Sequence, residues 1–232
     1  MPPPTATQGA SMDQVCPQAN PAPRLLEAYR RLLAAFGPQH WWPGETPFEV
    51  LVGAVLTQNT NWGNVERALG NLKAGGLLSL EALRSLALDE LAQLIRPAGY
   101  YNLKARRLMN LLDLLAQDFD GDLEALWSLP LSRARRALLS SWGVGPETAD
   151  SILLYAGGLP SFVVDAYTFR VLERHGLAEP GMDYHGLRAR FMTCLPTETA
   201  LYNEYHALLV RLGKERCRKG QPLCTGCPLE DW

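Results

Sequence analysis

Apolar residues recur at helical spacing along most of the chain. Leu25, Leu26, Tyr29, Leu32, Leu33 and Phe36 fall on one side of an amphipathic helix over residues 24–36, with Arg and Glu opposite. Residues 48–56 (FEVLVGAVL) are apolar nearly all round, a pattern that fits a strand or a buried helix. The polar stop Thr57-Gln58-Asn59-Thr60-Asn61 and the helical spacing from Val65 to Leu72 favour a buried helix followed by an amphipathic one. Short amphipathic segments follow over 79–86, 88–95, 104–119 and 123–129. No alternating Val/Ile-rich run suggests a sheet, so the expected class is all-α. Residues 1–23, rich in Pro, Ala, Gln and Thr, read as an irregular tail.

Composition narrows the class of partner. The chain has 232 residues, 47% of them apolar, enough for one substantial core or two modest lobes. A net charge of −2 argues against a generic nucleic-acid coat, so any DNA contact must use a local basic face and backbone amides. No window reaches the apolar length of a membrane span, and the N-terminus lacks a basic-then-apolar leader pattern. A cytoplasmic monomer is expected, with its five cysteines as reduced thiols or metal ligands.

The chemistry concentrates between residues 140 and 169. A helix ending near Ser141, the turn Gly143-Val144-Gly145 and a new helix opening at Pro146 make a helix, a hairpin and a helix. The glycines let the backbone approach a ligand closely, and the N–H groups of the second helix favour a phosphate. Alone, such a turn also serves a plain helical hairpin. Downstream, Asp165 is a lone acid among apolar neighbours. It suits either a helix cap or a catalytic carboxylate.

The stretch 141–149 (SWGVGPETA) and the later Val164-Asp165-Ala166-Tyr167-Thr168-Phe169-Arg170 together resemble the signature of the helix-hairpin-helix DNA glycosylases of the endonuclease III superfamily, with Ser141 where Leu is usual. The likeness runs from about Pro47 to Cys227. It implies a six-helix barrel over residues 43–157 and a second helical lobe from 24–42 plus 158–232. Double-stranded DNA carrying a damaged base would lie across the cleft between them. Asp165 would face that cleft and stabilise the oxocarbenium-like sugar formed as an N-glycosidic bond is hydrolysed. Members that also cleave the strand carry a lysine two residues after the second glycine; here that residue is Glu147. A carboxylate cannot form a Schiff base, so a glycosylase without lyase activity is expected. Glu147 is a candidate second catalytic residue, or simply a first-turn acid that the helix dipole favours.

More closely, the chain resembles the 3-methyladenine glycosylase branch through Trp41-Trp42-Pro43, Leu56-Thr57-Gln58-Asn59-Thr60, residues 96–105 and residues 147–153. By that resemblance Trp41, Trp42, Trp62 and Tyr167 would wall a pocket for a cationic alkylated purine, whose charge indole faces attract. An aromatic cluster filling a small core is the plainer reading. Gln58 and Tyr100 would reach into the DNA stack when the base flips out, though Gln58 also suits a helix end and Tyr100 a turn. Gly143, Val144, Gly145, Lys104, Arg218 and Lys219 would meet the strand, with Arg106, Arg107, Arg133, Arg135 and Arg136 as further basic candidates. Oxidised pyrimidines are the alternative substrate, and a catalytically silent DNA-binding protein the alternative class.

A second motif lies near the C-terminus: Cys217-(x6)-Cys224-(x2)-Cys227. The family pattern adds a fourth cysteine five residues on, and the four thiolates hold a [4Fe–4S] cluster. Here that position falls just past Trp232; by the resemblance, which folds the N-terminal tail onto the same lobe, Cys16 is the candidate fourth ligand, with Asp231 or an exogenous ligand as alternatives. Zinc on three or four cysteines remains a competing reading.

Overall fold

The computed structural model describes residues 21–179 and 181–232, and no strand occurs among them. The all-α expectation is met. In chain order the helices are α1 (Ala22–Phe36), α2 (Pro47–Leu56), α3 (Trp62–Ala74), α4 (Leu80–Ser85), α5 (Leu88–Leu94), α6 (Tyr101–Phe119), α7 (Leu123–Trp127), α8 (Leu131–Ser140), α9 (Pro146–Ser151), α10 (Ala166–Arg174), α11 (Tyr184–Cys194) and α12 (Thr199–Glu215). A 3₁₀ turn, Arg96–Ala98, precedes α6, and a π-helical turn, Ile152–Ala156, continues α9. Cys16 lies outside the described residues, as does most of the N-terminal tail. Helix α1 begins two residues earlier than its apolar stripe predicts, because Pro23 is tolerated in a first turn.

Local chemistry sets the boundaries. Thr46 caps α2 by accepting the Glu49 N–H at 3.1 Å, and Asn61 caps α3 by accepting the Asn64 N–H at 3.1 Å. Between them, Thr57 Oγ1 donates back to the Gly53 carbonyl at 2.7 Å, closing α2 where the polar stop predicts. Helix α2 is buried from Glu49 to Leu56, which explains a sequence with no polar face.

Apolar side chains gather into two cores. One takes α2–α9, centred on Leu51, Val55, Leu69, Leu108 and Ile152. The other takes α1 and α10–α12, centred on Leu32, Phe162, Val164, Phe191 and Leu208. The π-helical turn joins them, since Leu153 packs in the first core and Leu154 in the second. A buried ionic knot reinforces this junction: Asp150 accepts from Arg135 of α8 and is met by Ser161, Tyr184 and Arg188 from the second core's side.

Candidate active site

The hairpin joins α8 to α9. Gly143 has φ +95°, and a Cβ there would lie 2.2 Å from Arg107 Cγ, so only glycine lets α6 approach this closely. Val144 is buried, its N–H donating to the Ser141 carbonyl at 3.1 Å. Gly145 stands at the head of α9, whose N-terminus receives no side-chain cap.

Gln58 braces this loop from the end of α2. Its Nε2 donates to the Gly143 carbonyl at 3.0 Å and to Thr148 Oγ1 at 2.9 Å, while its Oε1 accepts from Arg107 Nη1 at 2.5 Å. Tyr100 is quite different. It heads α6 in the left-handed region with φ +47° and is 70% exposed, as a residue projecting from the surface must be. Trp142, on the hairpin itself, is 59% exposed and had no signal in the sequence pattern beyond its place beside Gly143.

Two of the basic candidates are corrected. Lys104 is fully buried and donates to the Leu56 and Ala98 carbonyls at 2.8 and 2.7 Å, tying the end of α2 to the 3₁₀ turn. It cannot meet a phosphate. Burial and the nearby Arg107 push its ammonium down to about 8. Arg135 is likewise taken up by Asp150. Arg106, Arg133 and Arg136 remain exposed, as do Arg218 and Lys219, whose backbone carbonyls accept from Arg174.

The buried extended stretch Phe162-Val163-Val164 delivers Asp165 to the head of α10. Asp165 Oδ1 accepts from the Thr168 N–H at 2.7 Å and from Thr168 Oγ1 at 2.9 Å, so the acid does cap a helix. Its other oxygen, Oδ2, faces His206 Nε2 at 3.6 Å, beyond hydrogen-bonding distance. The carboxyl is only 13% exposed. Burial by itself would raise its proton affinity, but His206 and the two Thr168 donors outweigh that and hold it below the ordinary Asp value. Asp165 therefore caps and remains an anion.

That anion lines a cavity of about 600 Å³, within the usual range for small-molecule sites. Trp41, Trp42, Trp62, Gln58, Glu147 and Tyr167 share the lining. The three indoles form one cluster, with ring centres 5.6 Å (41–42), 6.0 Å (41–62) and 5.2 Å (42–62) apart. The ring of Tyr167 is seated against Gly213 of α12, where any Cβ would meet it at 2.4 Å. Glu147 stays open to solvent at the rim, yet the protein packed around it and then the Asp165 charge raise its carboxyl to about 7, with His206 opposing. Tyr155, His206 and Lys214 carry no signal of their own in the sequence pattern. The last two also line the cavity, and Lys214 Nζ lies 5.8 Å from the Trp41 ring. All three come from stretches that read as ordinary helix, so only folding gathers them here.

Cys217, Cys224 and Cys227 line a separate cavity of about 420 Å³ with Arg174 and Arg216. Arg174 Nη1 lies 3.2 Å from Cys217 Sγ. Among the described residues no group of three or more His, Cys, Asp or Glu side chains is arranged to grip an ion.

A helical chain with a glycine hairpin at the head of α9 and an aromatic pocket bordered by the anchored Asp165 carboxylate has the layout of a base-excision repair protein. Residues 52–197 match the HhH-GPD superfamily of base excision DNA repair proteins, and the chain belongs to that family. It is 46% identical over 210 residues to a candidate DNA repair glycosylase of Methanocaldococcus jannaschii, covering 90% of this chain and 94% of that one. Endonuclease III of Escherichia coli is 28% identical over 186 residues, 80% of this chain and 82% of its own. The crystal structure of the Helicobacter pylori 3-methyladenine DNA glycosylase MagIII bound to 1,N6-ethenoadenine superposes with a TM-score of 0.73 at 29% identity, covering 84% of this chain and 98% of that one. The protein is thus a DNA repair glycosylase of the endonuclease III family. No helix among the described residues is long and apolar enough to cross a membrane.

Proposed function

We propose that this glycosylase binds double-stranded DNA, takes a flipped alkylated purine such as 3-methyladenine into the three-indole cavity, and hydrolyses its N-glycosidic bond without cleaving the strand. One observation carries the reading: an ionised, anchored Asp165 borders a cavity walled by Trp41, Trp42 and Trp62, and Glu147 stands where a Schiff-base lysine would be needed. An alkylated purine is cationic, and each indole face attracts it by ~0.5–2 kcal/mol. Its positive charge also makes it a good leaving group, so no general acid is required. As the bond breaks, positive charge moves to the sugar, where the Asp165 carboxylate stabilises it and orients the attacking water.

Supporting roles follow from placement. Tyr100, exposed and held in a left-handed conformation, fills the hole left by the base. Gln58 braces the hairpin from behind and lines the same cavity. The hairpin amides at Gly143 and Gly145, with Arg218 and Lys219, meet the phosphates, whereas the buried Val144 N–H is already spent on the Ser141 carbonyl. Cys217, Cys224 and Cys227 would supply three thiolates to a [4Fe–4S] cluster, and Arg174 beside Cys217 would suit its negative charge. Such a cluster would be structural, cross-linking the C-terminal segment that carries these cysteines.

The test is base release from duplexes bearing methylated, oxidised or deaminated bases. Methylated purines should be released fastest, and Asp165→Asn should lower that release by ~100-fold or more while duplex binding survives. Trp62→Leu should weaken release of cationic lesions more than neutral ones. Faster release of oxidised pyrimidines would overturn the substrate assignment. Borohydride should trap no covalent adduct with abasic DNA; trapping would make Lys214, the pocket's own amine, the nucleophile. Loss of an iron–sulfur visible absorption band on Cys217→Ser would support the cluster, and a colourless parent protein would refute it.

A further inference from the structure

We propose that His206, kept with a proton on Nε2 by the Tyr155 hydroxyl, is the positioning residue that fixes and keeps ionised the working oxygen of Asp165. The inference rests on the glycosylase reading above for its consequence in activity, but not for its structural content.

The two Asp165 oxygens stand in different surroundings. Oδ1 takes both Thr168 donors and anchors α10. Oδ2 faces the His206 imidazole, with Nε2 at 3.6 Å. His206 comes from α12, is 6% exposed, and its Nε2 has no hydrogen-bond partner among the described residues. Its Nδ1 lies 2.5 Å from the Tyr155 hydroxyl. Tyr155 is placed by the π-helical turn, with its ring 5.2 Å from that of Trp42. Widening of a helix at a working residue is a common use of such turns.

The proton positions follow by elimination. Burial, then the Asp165 and Glu204 charges, raise the Tyr155 hydroxyl well above its ordinary value, so it keeps its proton. A neutral His206 protonated on Nδ1 would donate to Tyr155 and turn the Nε2 lone pair toward the Oδ2 lone pairs, which repel. The two remaining states, a neutral ring accepting from Tyr155 and a protonated ring, both put N–H at Nε2 facing Asp165. At 3.6 Å the two groups are an ion-pair distance apart, and catalytic hydrogen bonds that are long in a free enzyme often tighten when substrate fills the site. Titratable and charged groups around the pair are Glu147 from α9, Tyr155 from the π turn, Tyr167 from α10, and Glu204 and Lys214 from α12. Asp165 is held ionised against its burial by His206 and by the two Thr168 donors, and of these His206 is the one that faces Oδ2.

The test reads Asp165 directly. Proton titration of the ¹³C-labelled carboxyl, assigned by its absence in Asp165→Asn, is followed in the full-length protein without DNA, alongside base release. In His206→Leu the Asp165 titration should rise by about one pH unit, a tenfold change in proton affinity. His206→Gln, whose amide can still donate to Oδ2, should restore most of it, and Tyr155→Phe should give an intermediate rise. The acid limb of kcat should move in parallel, with KM little changed. An Asp165 titration unmoved in both His206→Leu and Tyr155→Phe overturns the proposal, as does a His206→Gln protein behaving like His206→Leu. If the parent protein releases no base from any lesion, the glycosylase reading of the pocket fails while the titration still decides the role of His206.

Discussion

Asp150→Asn should destabilise the whole molecule, because the carboxylate it removes is the counter-charge for two arginines at the junction of the two cores. Asp150 is fully buried and accepts from Arg135 Nε and Nη2 at 2.9 and 3.0 Å, from Ser161 Oγ at 2.5 Å and from Tyr184 Oη at 2.8 Å. Arg188 Nε lies 3.1 Å from Oδ1, and the Arg135 and Arg188 side chains are only 15% and 16% exposed. Asparagine keeps the shape but leaves both guanidiniums without an anion and turns N–H groups toward them. Breaking a buried pair from one side costs ~3–5 kcal/mol, chiefly as uncompensated charge. In a chain of this length each kcal/mol moves the midpoint by roughly 2–4 °C, so Tm should fall by about 6–20 °C. Calorimetry and urea unfolding measure it, and the urea midpoint should drop with an unchanged slope. Because the site is shielded, the loss should persist at high salt. A shift below about 3 °C would refute the view that this knot holds the cores together.

Three further outcomes are expected. The folded state lowers Lys104 to about 8 from an ordinary value of 10.5, so it sheds that proton before the unfolded chain does; stability should rise between those pH values, and urea midpoints of Lys104→Met should lack that rise. Glu147, raised to about 7, ionises as pH increases through neutrality, and the added negative charge favours a cationic base. Release of methylated purines should therefore climb through pH 7 in the parent and lose that inflection in Glu147→Gln; an unchanged inflection would assign it to another group. Gly143→Ala should cost ~1–3 kcal/mol, displace Arg107 and with it Gln58, and weaken duplex binding about tenfold by fluorescence anisotropy. Unaltered binding would remove the hairpin from the DNA contact.

What could be read from the amino-acid order was whatever depends on near neighbours. Helical spacing marked the helices, the two hairpin glycines marked a turn that needs open backbone, and the Thr57–Asn61 run marked the end of α2, since caps and turns are settled within a few residues. Asp165 was legible as an odd acid in an apolar run. Its ionisation was not, because beside the local Thr168 donors that depends on His206, 41 residues on, which the packing of α12 against α10 brings alongside. The same distinction separates the basic residues. Lys104 and Arg106 look alike in the chain, but the roughly 200° of helix rotation between them sends the first into the core to meet two carbonyls and leaves the second in solvent. Charge, proton affinity and exposure are properties of an environment assembled from distant segments, whereas helix, turn and cap follow from the local backbone; tertiary structure therefore decided which of the candidates share a pocket.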